Sequence, residues 1–442
     1  MIEDDRARIM SQQPLTAIIV GAGNRALTYA SYALKHPDLL RIVGVADPEE
    51  RRRLRVSEIY GLSPDACFTS AAELAKGGKR ADVIINGTMD REHVPTSVPL
   101  LEAGYDLLLE KPFATNEDEI WHLVNTARQH GNTVVICHVL RYTPFYLAIR
   151  QRLAQNAIGQ VLNIQTTEHI SYHHMAVAFI RGKWSNRERS GSSLLMAKCC
   201  HDMDLLAWMK SGVAPRAVSS FGGLMYFRPE RSPAGAGTRC LVDCPLEPEC
   251  LYSAKKHYLD HPHRWKYYVW QPLEHIGEPT MEQKIESLKH SSPYGRCVWK
   301  CDNDVVDHQS VMVEFADGST ATHNMVGGAA RPARSIHILG THGGIEGVFE
   351  DSRFVVRHID PRPGHEYSEE VIDLHVSGDM HGAFDGHGGG DLRLVEDFVR
   401  VLRGEAPSLS TTTLDDSING HLIGFCADRA MEEKRVVEVT WR

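Results

Sequence analysis

The chain has 442 residues, 42% of them hydrophobic and 24% charged, with a formal net charge of −9. That length suits two or three domains rather than one small core. The acidic balance lacks the clustered excess of lysine and arginine that marks a nucleic-acid footprint, so no nucleic-acid partner is expected. The opening stretch "MIEDDRARIMSQQP" carries no apolar signal-peptide core. No apolar run approaches the roughly 18 residues that a membrane span needs. The expectation is a cytoplasmic protein with no membrane partner, whose ten cysteines are reduced. The basic run "EERRRLRVSEIYG" is interleaved with acidic residues and reads as a solvated helix face.

In chain order, "LTAIIVGAGNRALTYASYAL" opens on an apolar run from Thr16 to Val20, turns through Gly21-Ala22-Gly23 and continues as an Ala- and Leu-rich helix. The spacing is G-x-G-x-x-A. Gly21 permits the tight turn, Gly23 lets the backbone approach a pyrophosphate at the helix N-terminus, and Ala26 keeps helix and strand close. Gly21, Gly23, Asn24 and Arg25 are therefore candidate dinucleotide contacts. A second strand, "RIVGVAD", ends in Asp47, 26 residues after Gly21. A carboxylate there accepts hydrogen bonds from ribose hydroxyls and repels a 2′-phosphate, which predicts NAD over NADP. Its structural alternative is a helix cap before Pro48, and Arg51, Arg52 and Arg53 stand close by. Strands in "DVIINGT", "YDLLLEKP" and "TVVICHVLRY" alternate with helical segments, as in an α/β doubly wound parallel sheet. Chemistry in such sheets lies beyond the C-terminal strand ends: Gly21, Asp47, Asn86-Gly87-Thr88, Glu110-Lys111-Pro112 and His138. Thr88, His93, Glu110, Lys111 and Arg141 complete the candidate cofactor set.

"LLLEKPFATNEDEI" places E-K-P at the end of the fifth strand, after G-x-G-x-x-A and the strand-end Asp47. This combination resembles the Gfo/Idh/MocA oxidoreductases, which include glucose–fructose oxidoreductase and inositol dehydrogenase. The resemblance continues through "RYTPFY" at 141–146, "CHDMDLLAWM" at 200–209 and "DNDVVDHQSVMVEFADGSTATHNM" at 302–325. It implies an NAD-binding Rossmann domain over 1–140. An α+β domain with a large, mostly antiparallel open sheet would follow over 141–442, with the active site between the two. It implies that Lys111 binds the reacting hydroxyl and helps move its proton; a surface lysine held by Glu110 is the structural alternative. Family members carry an aspartate four residues before a histidine, then an aspartate and an apolar helix. His201 matches that histidine and Asp204 the later aspartate. The resemblance thus makes His201 a general acid or base at a helix start, against a structural histidine that caps the helix. Position 197 departs from the pattern: Ala197 replaces the acid and Lys198 follows it. A second cation favours an anionic substrate or intermediate, or bonding to sugar hydroxyls. Catalysis is therefore assigned to Lys111, His201 and Lys198, and substrate contact to these three with Arg141, Tyr142 and Trp184. Cys199 and Cys200 read as packing residues.

Residues 228–300 read as a Cys-rich insertion. "RCLVDCPLEPEC" and "GRCVWKC" hold five of the ten cysteines. In a reducing compartment this density predicts a structural zinc on Cys240, Cys244, Cys250 and Cys297, with Cys301 a substitute for any of them. Buried small cysteines are the alternative. The intervening aromatic stretch reads as a lid or an oligomer contact, and "DGHGGGD" at 385–391 as a loop at the substrate mouth or a plain turn. The function expected is an NAD-dependent oxidoreductase acting on a secondary hydroxyl of a sugar, cyclitol or glycoside, in a homo-oligomer, dimer or tetramer. The alternative is an NAD-dependent glycosidase that works by transient oxidation, elimination and hydration.

Overall fold

The computed structural model describes residues 13–374 and 389–442. Two compact units divide the chain: Met1–Leu147 with Gly389–His421 and Arg442, and Ala148–Gly388 with Leu422–Trp441.

The first unit is built on six strands: β1 (Leu15–Val20), β2 (Leu40–Ala46), β3 (Cys67–Phe68), β4 (Val83–Asn86), β5 (Asp106–Leu109) and β6 (Val134–Ile136). All pair in parallel, in the order β3-β2-β1-β4-β5-β6. β1 and β4 are almost continuously apolar because helices cover both faces of such a sheet. The crossovers are α1 (Asn24–Ala30), α2 (Glu50–Tyr60), α3 (Ala71–Lys76), α4 (His93–Glu102) and α5 (Glu117–His130). Asn116 caps α5 through its side chain, and Gly131 ends that helix in the left-handed region at φ +68°.

Late in its course the chain returns to the first unit. Residues 389–421 belong to the first unit. There α8 (Gly390–Leu402) follows α6 (Leu194–Met209) and α7 (Met281–Lys289) of the second unit in chain order. Its Leu394, Val395, Phe398 and Val399 form one apolar stripe and join Ala17, Ile19 and Tyr29 in a single core. Gly390 is required where α8 begins, since a Cβ there would stand 2.4 Å from the Val139 carbonyl oxygen.

The second unit carries a nine-stranded sheet in the order β14-β13-β12-β11-β7-β10-β9-β8-β15. Its strands are β7 (Val161–Ser171), β8 (Pro215–Gly223), β9 (His308–Phe315), β10 (Thr320–Ala329), β11 (Ala333–Gly340), β12 (Gly343–Val348), β13 (Arg353–Ile359), β14 (Tyr367–Asp373) and β15 (Val437–Glu438). β7 and β10 pair in parallel, and every other pairing is antiparallel. Burial alternates strictly along β9, as in a sheet with one covered face. This is the α+β architecture expected of the second half. Among the described residues no helix is long and apolar enough to cross a membrane.

Candidate active site

The glycine turn forms as its spacing predicts. Gly21 adopts φ +75°, and a Cβ there would lie 2.7 Å from the Thr88 amide nitrogen. Gly23 is the N-cap of α1, and a Cβ on it would meet nothing nearer than the Gly87 carbonyl oxygen at 4.0 Å. The first turn of α1 therefore faces open space, the cradle a pyrophosphate needs. Ala26 is fully buried, and a Cβ on Gly87 would sit 2.8 Å from the Ala26 methyl carbon. The third position must therefore be small. Asp47 is buried at the end of β2. Its Oδ2 accepts from the Ala22 amide and its Oδ1 from the Glu49 amide, both at 2.8 Å. It thus braces the glycine turn and also opens the segment leading to α2. Arg52 Nη1 lies 3.9 Å from Oδ2.

Arg25 and Glu110, expected among the cofactor contacts, are both committed elsewhere. Arg25 Nε donates to Glu110 Oε1 at 2.9 Å, and its Nη2 reaches Asp391 Oδ1 at 2.5 Å and the Tyr29 hydroxyl. The Tyr29 hydroxyl in turn donates to Glu110 Oε1 at 2.7 Å. Burial alone would raise the Glu110 carboxyl, but Arg25 and then Lys111 hold it below its ordinary value. A buried carboxylate bound this way is a fixed anchor. Its Oε2 accepts from the Lys111 amide at 2.6 Å, which sets the backbone that carries Lys111. Asp391 ends the stretch that reads in the sequence as a loop at 385–391. Positions 385–388 lie outside the described residues, whereas Asp391 is buried in the first turn of α8.

His93 likewise acts as a brace. Its Nδ1 lies 2.7 Å from the Pro112 carbonyl and its Nε2 3.1 Å from that of Thr88, tying the loop after β4 to the loop after β5. The Lys111–Pro112 peptide is cis. Thr88 donates through Oγ1 to Asn86 Oδ1 at 2.8 Å. Two buried histidines flank Lys111. Burial, then the Arg141 and Lys111 charges, push the His138 imidazole well below its ordinary value; burial and His138 do the same to His421. Both imidazoles are therefore neutral at pH 7. His421 Nε2 accepts the Phe113 amide proton at 3.0 Å. No local motif in the sequence distinguishes His421.

Arg141 and Tyr142, expected at the substrate, turn inward. Arg141 is fully buried and ion-paired with Asp416. The Tyr142 hydroxyl donates to Asp397 Oδ2 at 3.0 Å. The physical reason is the return of residues 389–421, which brings carboxylates to both side chains.

In the second unit, Ser193 caps α6 by accepting the Met196 amide at 3.2 Å. His201 thus lies eight residues past the cap, in the middle of the helix rather than at its start. The cap position belongs to Ser193 because its hydroxyl meets the helix's unpaired amides. Lys198 and His201 are separated by i, i+3 and so are neighbours on its surface. Every α6 residue is buried except Lys198, which is half-buried. Lys198 Nζ lies 3.3 Å from Glu168 Oε1, and Arg334 Nε is 2.7 Å from Glu168 Oε2 and 3.2 Å from Asp202 Oδ1. Burial would raise Glu168, but Arg334 and Lys198 hold it below the usual range. Lys198 therefore arrives with a carboxylate partner from β7. Asp204 is buried on the same helix.

The insertion between β8 and β9 contains short helices and α7, with no strand among its described residues. Asp307 gathers its ends, accepting the Met225 and Tyr226 amides at 3.0 and 2.6 Å. The aromatic residues build an inner core rather than a free lid. Tyr252, Tyr258, Trp265, Tyr294 and Trp299 are buried, and Trp265 Nε1 donates to His173 Nδ1 at 3.0 Å. Trp184 meets Tyr268 edge to face, at 5.8 Å between centroids, and Lys183 lies over its ring. The zinc expectation is corrected here. No three of Cys240, Cys244, Cys250, Cys297 and Cys301 bring their sulfurs within 4.8 Å of one another. Arg181 reaches into the insertion, donating to the Arg296 and Tyr252 carbonyls at 2.7 and 2.8 Å and to Cys240 Sγ at 3.5 Å. Burial raises Cys250, Cys297 and Cys301, the last to about 11.

A Rossmann-type unit with a glycine cradle and a strand-end lysine, in a chain whose second unit is an open mixed sheet, is the architecture of an oxidoreductase with an NAD-binding domain. Residues 15–138 match the oxidoreductase family's NAD-binding Rossmann fold, and residues 150–439 match its C-terminal alpha/beta domain. The chain belongs to the Gfo/Idh/MocA oxidoreductase family. The YteT protein of Bacillus subtilis (strain 168), named as an oxidoreductase, is 25% identical over 333 residues, 72% of each chain. The D-glucoside 3-dehydrogenase of Escherichia coli (strain K12) is 25% identical over 218 residues, 48% of this chain and 58% of that one. Among solved structures, levoglucosan dehydrogenase in complex with NADH and levoglucosan shares the fold at TM-score 0.69 and 15% identity, covering 97% of this chain and 100% of that one.

Proposed function

We propose that the chain is an NAD-dependent dehydrogenase that oxidises a secondary hydroxyl of a sugar, cyclitol or glycoside. The observation that carries the proposal is Lys111. Its backbone is fixed by buried Glu110 on one side and by the His93–Pro112 contact on the other, at the strand end two loops from the glycine cradle. The names of the relatives, among them an inositol 2-dehydrogenase and a D-glucoside 3-dehydrogenase, support the substrate class. Gly21, Gly23 and Asn24 hold the pyrophosphate, and Asp47 takes the ribose hydroxyls, which favours NAD over NADP. NAD, when bound, supplies the hydride acceptor. Lys111 binds the substrate oxygen as its proton leaves, and His201 receives that proton, so that the carbinol becomes a ketone.

Lys198 carries a second reading within the same family. A cation placed by Glu168 stabilises an enolate as well as a bound hydroxyl. Oxidation, elimination of an aglycone, hydration and return of the hydride would then make the enzyme a glycosidase. Incubation with NAD and a panel of sugars and aryl glycosides separates the two. Stoichiometric NADH supports the dehydrogenase, released aglycone without net NADH supports the glycosidase, and neither product rejects both.

A further inference from the structure

Cys199 and Asp202 are separated by i, i+3 on α6, and His323 projects from β10. The Cys199 sulfur, a carboxylate oxygen of Asp202 and a ring nitrogen of His323 all lie within 4.8 Å of one another. They form the one such group of three potential metal donors among the described residues. The three side chains are 0%, 2% and 0% exposed. Asp202 Oδ2 and His323 Nε2 have no hydrogen-bond partner. A buried polar atom left unpaired costs about 1–3 kcal/mol, so two in one place call for an occupant.

The other donor atoms of these residues are already held. Asp202 Oδ1 takes Arg334 Nε at 3.2 Å. His323 Nδ1 lies 2.9 Å from Thr166 Oγ1, and that hydroxyl donates its single proton to the Thr322 carbonyl at 3.3 Å. With the Thr166 proton on that carbonyl, His323 donates from Nδ1 and its Nε2 lone pair faces the cluster. A histidine whose second ring nitrogen is fixed by a hydrogen bond, beside a carboxylate whose second oxygen is also fixed, is the arrangement of outer-shell contacts that orients metal ligands.

We infer that Cys199, Asp202 and His323 bind one zinc ion that fastens α6 to β10. Thiolate, imidazole and carboxylate together suit zinc better than magnesium or calcium, which prefer oxygen alone. A tetrahedral zinc sets such donors roughly 3.3–3.8 Å apart. Binding requires the present spread, within 4.8 Å, to contract by about 1 Å. Binding exchanges the Cys199 thiol proton for the metal, and Glu168 keeps Lys198 and Arg334 paired. Two of the ligands flank His201 in sequence, so the metal fixes the rotation of the helix that carries Lys198 and His201. The inference is independent of the substrate class proposed above.

The test is metal analysis of the full chain purified without chelator, together with titration by zinc or cobalt(II) alone. The expected results are one zinc per chain, a rise in melting temperature with added zinc, and a thiolate-to-cobalt charge-transfer band in the cobalt form. Cys199→Ser and His323→Gln should each lose the metal and the band, whereas Cys240→Ser in the insertion should keep both. Metal retained in Cys199→Ser and His323→Gln, or lost in Cys240→Ser, overturns the assignment. If the α6 variants do not fold, the wild-type cobalt spectrum decides: uptake with a thiolate band supports the site, and no uptake or no thiolate band overturns it.

Discussion

The glycine turn of the first unit and the α6 helix of the second place charged groups inside protein in opposite ways. Around Arg25 every named charge is matched: the guanidinium serves Glu110 and Asp391 together, and Tyr29 closes the ring. Around Lys198 the ions also pair, yet Asp202 Oδ2 and His323 Nε2 remain without hydrogen bonds. A closed network specifies a rigid scaffold, and an incomplete one leaves donor atoms for something else to bind. The first unit uses its buried charges to hold strand-end backbone. The second keeps side-chain chemistry in reserve.

The largest test of this contrast is Arg25→Ala. It leaves Glu110 and Asp391 buried without their cation, and such a loss typically costs about 3–5 kcal/mol. Thermal or urea unfolding should show the first unit destabilised on that scale. A change under about 1 kcal/mol would mean the network is not closed as described. The next effect is at Gly21. Alanine there must adopt a left-handed backbone, at about 1–3 kcal/mol, and meet the Thr88 amide. NAD binding measured by fluorescence should be lost even if the protein folds. A smaller effect is expected for Asp47→Ala, which should weaken NAD about tenfold, near 1.4 kcal/mol, and NADP less. Tighter NADP than NAD binding by the unmodified protein would contradict the role given to Asp47.

The nucleotide half of this molecule was legible because backbone rules write it locally. G-x-G-x-x-A, the strand-end Asp47 and E-K-P each fix a turn or a strand end within a few residues, and the structure puts each of them there. What the sequence did not disclose depends on distant partners. Arg141 and Tyr142 sit beside strand ends, but Asp416 and Asp397, more than 250 positions away, decide where they point. The same holds for His323, which meets Cys199 and Asp202 only because β10 lies under α6. The cysteines of the insertion misled for a related reason: their spacing suggested a metal, and Arg181 from outside the insertion occupies that ground.

A further prediction separates the insertion from the strands around Glu110 by pH. Burial pushes the His173 and His257 imidazoles down to about 4, so the folded state excludes a proton that the unfolded chain binds below about 6.5. Stability of the insertion should therefore fall as pH drops from about 6.5 towards 4. Glu110 is held below its ordinary value, so its contribution is complete above about pH 4.5 and is lost only at lower pH. Amide exchange at about pH 5 should show the insertion loosening while the strands around Glu110 stay protected. Equal loosening of both would erase the distinction.

The most direct test of the central claim is steady-state NADH formation from the best substrate of the sugar panel, measured for the wild type, Lys111→Ala and His201→Ala alongside NAD binding. The account predicts turnover lower by about two to four orders of magnitude in each variant, as for loss of a general acid or base, with NAD bound as in the wild type. Near-normal turnover in both variants would contradict it.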